Sequence, residues 1–183
     1  MSNIIYIPWA MPLASEFLLK SQQWVAEDQA GNTKNPINWQ IVMYQDPNTP
    51  LSGLKAGSSI YVRGHGGPGD PQLDADVNGQ GSISYEDVCD RMISDGLKRT
   101  FMGTIKISCC NSGVPKVGHQ AFAAKCSQYM RFKKGYLLIS FVGYMGPISS
   151  EYYEHDDWDH AHRHVRPFGS NLVVKSKWAQ WRF

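Results

Sequence analysis

The hydrophobic and polar positions of this chain follow two different periods. Short runs of β-branched and aromatic residues, bounded by Gly, Pro or Asn, predict strands. Longer stretches with apolar residues three and four positions apart predict helices. We predict strands at 3–9, within 59–67, within 103–113, and at 38–44, 136–142 and 171–175, and helices at 13–29, 84–97 and 117–131.

The order of these elements predicts an α/β fold. The stretch 60–110 is a strand, a loop, a helix and a second strand, which is the pattern of a crossover between parallel neighbours. The chain has 183 residues, of which 42% are hydrophobic and 19% charged, and these values fit one globular domain spanning 1–183. We therefore expect a mostly parallel central sheet covered by helices on both faces.

Two of the predicted strands are followed by residues whose side chains can act in catalysis. Ser59–Gly67 reads SIYVRGHGG, in which His65 stands between glycines that leave the imidazole accessible. Gly103–Gly113 reads GTIKISCCNSG, in which Cys109 and Cys110 precede a turn. Open α/β sheets place their chemistry beyond the carboxyl ends of strands, so the imidazole and a thiol would face one crevice. A buried structural thiol and a packed histidine are the alternatives.

The two strand ends resemble the caspase, legumain, gingipain and clostripain group of cysteine peptidases, which includes the autoprocessing domains of bacterial toxins. The resemblance rests on an apolar strand ending in His-Gly, and on an apolar strand ending in a small residue and Cys. The spacing between the motifs is close to the family's, about 50 residues. The run Ser-Cys-Cys-Asn-Ser-Gly is similar to the legumain-type sequence around the nucleophile, and the similarity covers 60–142.

The resemblance implies a three-layer caspase-like sandwich and a cysteine peptidase acting on a protein or peptide. It makes Cys110 the nucleophile, Cys109 the small residue before it, and His65 the general acid/base. The oxyanion would be stabilised by backbone amides near Cys110 and Gly66. No third catalytic residue is assigned, because the family generally works with a Cys–His pair.

The substrate pocket is expected to follow the cysteine strand. In the resembled family, the next strand and its loop line the pocket for the residue before the scissile bond, which corresponds here to Phe141–Tyr153. The candidate pocket residues are Tyr144, Ser149 and Ser150, the last two within a Ser-Ser-Glu-Tyr-Tyr run that is similar to one in legumain.

The loop before the second predicted helix follows the spacing of a calcium loop. Asp76–Asp87 reads DVNGQGSISYED, with Gly81 at the position where an EF-hand loop bends sharply. The candidate calcium ligands are Asp76, Asn78, Gln80, Ser82, Ser84 and Asp87. The alternative is a loop without metal in which Ser84 caps the helix and Asp87 completes a capping box.

A second candidate metal site lies near the C-terminus. His155–His164 belongs to the run EYYEHDDWDHAHRH, which supplies imidazole and carboxylate ligands suited to a transition metal. This cluster leaves open a metal-dependent hydrolase. A non-catalytic protein-binding module with the same fold is the other alternative, and a polar surface loop is the alternative for the cluster itself.

Composition limits the partners and the compartment. The formal charge of +2 does not favour nucleic acid, and no apolar run approaches the roughly 20 residues of a membrane span. Four cysteines, two of them adjacent, are typical of a reduced thiol protein. The N-terminal sequence lacks the pattern of a signal peptide, so we expect a cytoplasmic protein or one delivered into a target cell.

Overall fold

The computed structural model describes residues 2–31, 37–47, 49–153, 162–167 and 169–183. The helices are α1 (Ser15–Gly31), α2 (Tyr85–Ser94) and α3 (Phe122–Gln128), and a π-helical turn at Tyr129–Lys133 continues α3. The strands are β1 (Asn3–Ile7), β2 (Trp39–Met43), β3 (Ser59–Arg63), β4 (Gln72–Leu73), β5 (Ile83–Ser84), β6 (Thr104–Ser108), β7 (Ser140–Tyr144), β8 (Ile148–Tyr153), β9 (His162–Val165), β10 (Val174–Lys175) and β11 (Gln180–Arg182).

Six strands form the central sheet in the order β11-β7-β6-β3-β1-β2. Five of them are parallel, and β11 joins the edge antiparallel to β7. The last residues of β3 and β6 are register partners, Arg63 with Ser108, so the segments after these strands leave the sheet at the same level. The α/β class and the parallel pairing of the His-bearing and Cys-bearing strands are thereby confirmed.

Helices cover both faces of the sheet, as alternate side chains of β1 and β3 show. Tyr61 and Arg63 face α1, where their side chains contact the ring of Trp24. On the other face, Tyr6 donates a hydrogen bond of 2.6 Å to Asp95, the residue that caps α2. Helix α3 packs beside α2, since Tyr129 in the π-helical turn donates a hydrogen bond to Asp90.

The main core lies between the sheet and the helices. Ile4, Ile60 and Ile105, on three adjacent strands, are at most 1% exposed. A second and smaller apolar cluster of Tyr144, Val165 and Ala179 involves the three-stranded sheet β8-β9-β10. Within the described ranges, no helix has both the length and the apolar character needed to cross a bilayer.

The structure corrects several predicted boundaries in the second half of the chain. Helix α3 begins at Phe122 rather than at 117, because Gly118 has a φ of +76° and Lys116 pairs with His119 in a tight turn. Strand β7 begins at Ser140 rather than at 136. The sequence patterns missed β8, β9 and the edge strand β11, since these strands are rich in polar residues and the last two are also short.

Candidate active site

A cleft of about 110 Å³ opens beyond the carboxyl ends of β3 and β6, on the face of the sheet that α1 covers. It is lined by Phe17, Lys20, Arg63, Gly64, His65, Ser108, Cys109, Cys110 and Ile148. The two residues predicted to act together, His65 and Cys110, therefore line one cleft. The register of β3 with β6 is the physical reason, because it brings both strand ends to the same edge.

The turn after β6 presents Cys110 at this edge. The strand ends at Ser108, and Asn111 has a φ of +57°, a left-handed conformation that Asn adopts more readily than most residues. The Asn111 amide donates to the carbonyl of Gly146, which lies 3.0 Å away beyond β7. The backbone therefore reverses within the turn and leaves Cys110 partly exposed.

Ser112 and Gly113 attach this turn to β7. The Ser112 hydroxyl is buried; it donates to the Ile107 carbonyl at 2.6 Å and accepts from the Tyr144 amide at 2.9 Å. Gly113 lies directly against Gly143, since a Cβ on Gly143 would be 2.6 Å from the Gly113 Cα. The Asn-Ser-Gly sequence thus has a structural function: it fixes the cysteine turn to the neighbouring strand.

The adjacent thiols have different environments. Cys109 is 4% exposed, and a Cβ on Gly66 would lie 3.2 Å from its Sγ. Burial, with a smaller contribution from the neighbouring Cys110, raises the pKa of the Cys109 thiol well above its usual range. Since the thiolate is the nucleophile, Cys109 is poorly suited to attack. Cys110 is the partly exposed thiol of the pair.

His65 is held at the cleft by its backbone and by its ring. Its amide and carbonyl pair with those of Asp74 in an isolated bridge, with N···O distances of 3.0 and 3.1 Å. Its ring packs against Phe17 with centroids 4.9 Å apart, and its Nε2 lies 3.1 Å from Glu16 Oε1. The side chain remains 25% exposed, so the imidazole is accessible from the cleft.

Glu16 is a site residue that the sequence reasoning missed. It lies in the first turn of α1, and its Oε1 accepts from Lys20 Nζ at 2.6 Å and contacts His65 Nε2. Its pKa is lowered, chiefly by the Lys20 hydrogen bond and further by His65, against the opposing effect of burial. No local sequence signal marked it, because the contact depends on β1 and β3 being neighbours in the sheet.

Two cationic side chains line the cleft. Lys20 is paired with Glu16, while the Arg63 guanidinium lies over the rings of Phe17 and Trp24, 5.7 and 5.4 Å from their centroids. Arg63 is 4% exposed. Cation–π contact of this kind partly offsets the cost of removing a guanidinium from water.

Of the two predicted sources of oxyanion amides, Cys110 lines the cleft, and Gly66 directly follows His65, which also lines it. Within the described ranges, neither amide donates a hydrogen bond to another backbone group. Gly66 is packed against Cys109, so its backbone lies beside the cysteine turn.

Of the three predicted pocket residues, the structure describes the side chain of Tyr144 alone. Tyr144 ends β7, is 4% exposed and belongs to the second apolar cluster rather than to the cleft lining. Ser149 and Ser150 lie on β8, but their side chains fall outside the described part of the structure. Ile148, directly before them, does line the cleft.

The predicted calcium ligands at the start of the loop make hydrogen bonds to other groups of the same loop. Asp76 Oδ1 accepts from the amides of Gln80 and Asn78 at 2.8 and 2.9 Å, and these contacts lower the pKa of Asp76. Gly81 has a φ of +64°, which fits the sharp bend of an EF-hand loop. The hydroxyl of Ser82 donates to Asp74 and to the Gly79 carbonyl.

The last two predicted ligands form the capping box of α2. The Ser84 side chain accepts from the Asp87 amide, and Asp87 Oδ2 accepts from the Ser84 amide and hydroxyl. Among the described residues, no three His, Cys, Asp or Glu side chains converge as a metal site would require. The capping role is confirmed, and calcium binding stays a prediction.

The His155–His164 cluster lies outside the described residues from 155 to 161. His162–His164 lie on β9, where their side chains are likewise outside the described part. Its metal-binding role stays a prediction.

Comparison with known proteins adds no further assignment. No protein-family model matches the chain, and no curated protein matches it at a significant level.

Proposed function

We propose that this protein is a cysteine peptidase with a caspase-like fold. The observation that carries the proposal is the joint placement of a partly exposed Cys110 and an accessible His65 in one cleft, with Cys109 buried. The six-stranded, mostly parallel sheet with helices on both faces supports the fold assignment.

The proposed reaction begins with attack of the Cys110 sulfur on the carbonyl carbon of the scissile peptide. The thiol proton passes to His65, and the carbonyl electrons move onto oxygen, where the amides of Gly66 and Cys110 stabilise the negative charge. Collapse of this intermediate breaks the C–N bond, and His65 transfers its proton to the leaving amine.

The second half of the reaction hydrolyses the thioester. A water molecule attacks the acyl carbon while His65 accepts its proton. The C–S bond then breaks, the carboxylic acid leaves, and the proton returns to the Cys110 sulfur. The sum is peptide plus water giving an acid and an amine, and no redox partner is required.

Calcium is proposed as an auxiliary ion rather than as a participant in this chemistry. The segment 76–87 follows β4 and includes β5 and the first turn of α2, and Leu73 in β4 lies directly against Gly64 at the cleft. An ion held by Asp76 and its neighbouring oxygens would order this side of the cleft. The few carboxylates of the loop correspond to weak binding, roughly 10⁻⁴–10⁻³ M.

The decisive experiment is labelling with a panel of peptidyl electrophiles, followed by mass spectrometry of the modified residue. We expect modification of Cys110 in the wild type and in Cys109→Ala, and none in Cys110→Ala. Cleavage of a peptide library by the same three proteins measures activity directly.

Two other outcomes would identify the alternatives. A non-catalytic binding module predicts no labelling and no cleavage with any peptide. A metal-dependent hydrolase using His155–His164 predicts activity that survives Cys110→Ala and disappears with a chelator. Loss of activity in Cys109→Ala with retention in Cys110→Ala would reverse the assignment of the nucleophile.

A further inference from the structure

The contact between Glu16 and His65 decides which nitrogen of the imidazole carries the proton. His65 Nε2 lies 3.1 Å from Glu16 Oε1, and an ionised carboxylate only accepts hydrogen bonds. Nε2 must therefore carry a hydrogen. In the neutral ring the other nitrogen, Nδ1, then has the free electron pair, which is the atom able to accept a proton from a thiol.

Glu16 is itself held in place by the start of α1. Lys20, one turn further along the helix, donates to the same Oε1 atom at 2.6 Å. Phe17, the next residue in the chain, packs on the His65 ring with centroids 4.9 Å apart. Two consecutive residues of α1 thus contact the imidazole, one at its nitrogen and one at its ring.

We propose that Glu16 is a positioning residue for His65, which keeps Nε2 protonated and turns Nδ1 toward Cys110. The inference rests on the proposed function and adds a third group to the expected Cys–His pair. The order of the strands explains why a residue that follows β1 reaches His65, which follows β3. The chain leaves β1 and β3 for opposite sides of the sheet, and groups that follow two such strands meet at the crevice between them.

The test uses two substitutions of Glu16 and one control. Glu16→Ala removes the acceptor. Glu16→Gln removes the charge but keeps a carbonyl oxygen. Lys20 can only donate hydrogen bonds, so it selects the oxygen of the Gln amide rather than the nitrogen. Since Lys20 and His65 contact the same atom of Glu16, that oxygen also faces His65. Glu27→Ala is the matched control, because Glu27 is a carboxylate of the same helix that bonds only to Gln23 among the described residues.

The first readout is independent of activity. In ¹⁵N NMR spectra recorded at rising pH until the ring signals stop changing, protonated and bare nitrogens of the neutral ring are well separated. We expect the Nε2–H form of His65 in the wild type, in Glu16→Gln and in Glu27→Ala, and a mixture of both forms in Glu16→Ala. A wild-type spectrum showing the Nδ1–H form would overturn the proposal without any variant.

The second readout is the rate of Cys110 modification by a peptidyl electrophile. Misplacement of a catalytic group by about 1 Å costs on the order of 10²-fold, and we expect a loss of that size in Glu16→Ala with substantial recovery in Glu16→Gln. An unchanged rate and an unchanged tautomer in a folded Glu16→Ala protein would refute the positioning role. If the tautomer changes as expected but wild-type Cys110 is never modified, the proposed peptidase function fails instead.

Discussion

The buried hydroxyl of Ser112 provides the sharpest test of how the cysteine turn is held. Ser112 Oγ makes two hydrogen bonds to buried backbone groups, to the Ile107 carbonyl at 2.6 Å and from the Tyr144 amide at 2.9 Å. Ser112→Ala removes both at a site that bulk water does not reach, because the residue is 1% exposed. The substitution therefore removes one hydrogen-bond partner from the Tyr144 amide and one from the Ile107 carbonyl.

The magnitude follows from the groups that lose a partner. A buried hydrogen bond contributes about 0.5–1.5 kcal/mol net to stability, and two such bonds are lost. We expect Ser112→Ala to lower the free energy of unfolding by about 1–3 kcal/mol. For a chain of this size the corresponding decrease in Tm is roughly 2–12 °C.

Ser58→Ala is the matched control. Ser58 is also fully buried, but its hydroxyl has no hydrogen-bond partner among the described residues. Removing that hydroxyl is expected to change the free energy of unfolding by less than about 0.5 kcal/mol, or to stabilise the protein slightly. The two variants thus make the same chemical change in equally buried places and differ only in the bonds lost.

Urea unfolding followed by tryptophan fluorescence and circular dichroism measures both free energies, provided that the two probes give coincident transitions. The slope with urea is expected to stay the same, since neither variant changes the surface exposed on unfolding. Equal destabilisation of Ser112→Ala and Ser58→Ala would show that the hydrogen bonds of Ser112 are not what holds the turn.

Three further predictions concern the cleft and the loop beside it. His65→Ala is expected to lower the rate of peptide cleavage on the order of 10²–10⁴-fold with little change in Tm; cleavage near the wild-type rate would remove its role as general acid/base. Isothermal titration is expected to detect calcium binding by the wild type in the millimolar range and not by Asp76→Ala; no heat from the wild type, with activity indifferent to a chelator, would leave the loop as a helix cap. The Ser84 hydrogen bonds lower the pKa of Asp87 below its ordinary value of 3.8, so the ionised form is the stabilising one. Its contribution is present above that value and lost as the pH falls through the lower pKa of the folded state. Urea unfolding across this range should show a weaker pH dependence in Asp87→Asn, and an undiminished slope would contradict the capping role.

Local sequence patterns predicted most of the parallel strands of the central sheet. The strands β1, β2, β3 and β6 were predictable, because short β-branched runs between turn residues have few alternatives. The capping box at Ser84 was predictable for a similar reason, since both of its partners lie within four residues. The placement of His65 and Cys110 in one cleft at the same sheet edge also followed from local signals, through the crossover rule for parallel strands.

Tertiary structure decided what depends on contacts between distant segments. Nothing local in α1 marks Glu16 as the partner of His65, because that contact exists only once β1 and β3 are neighbours. The edge strand β11 is three residues long and is defined by its hydrogen bonds to β7 rather than by its own sequence. The difference between Cys109 and Cys110 likewise comes from packing. Two adjacent thiols are chemically equal in the sequence, and the approach of Gly66 to Cys109 buries that thiol while Cys110 stays partly exposed at the cleft.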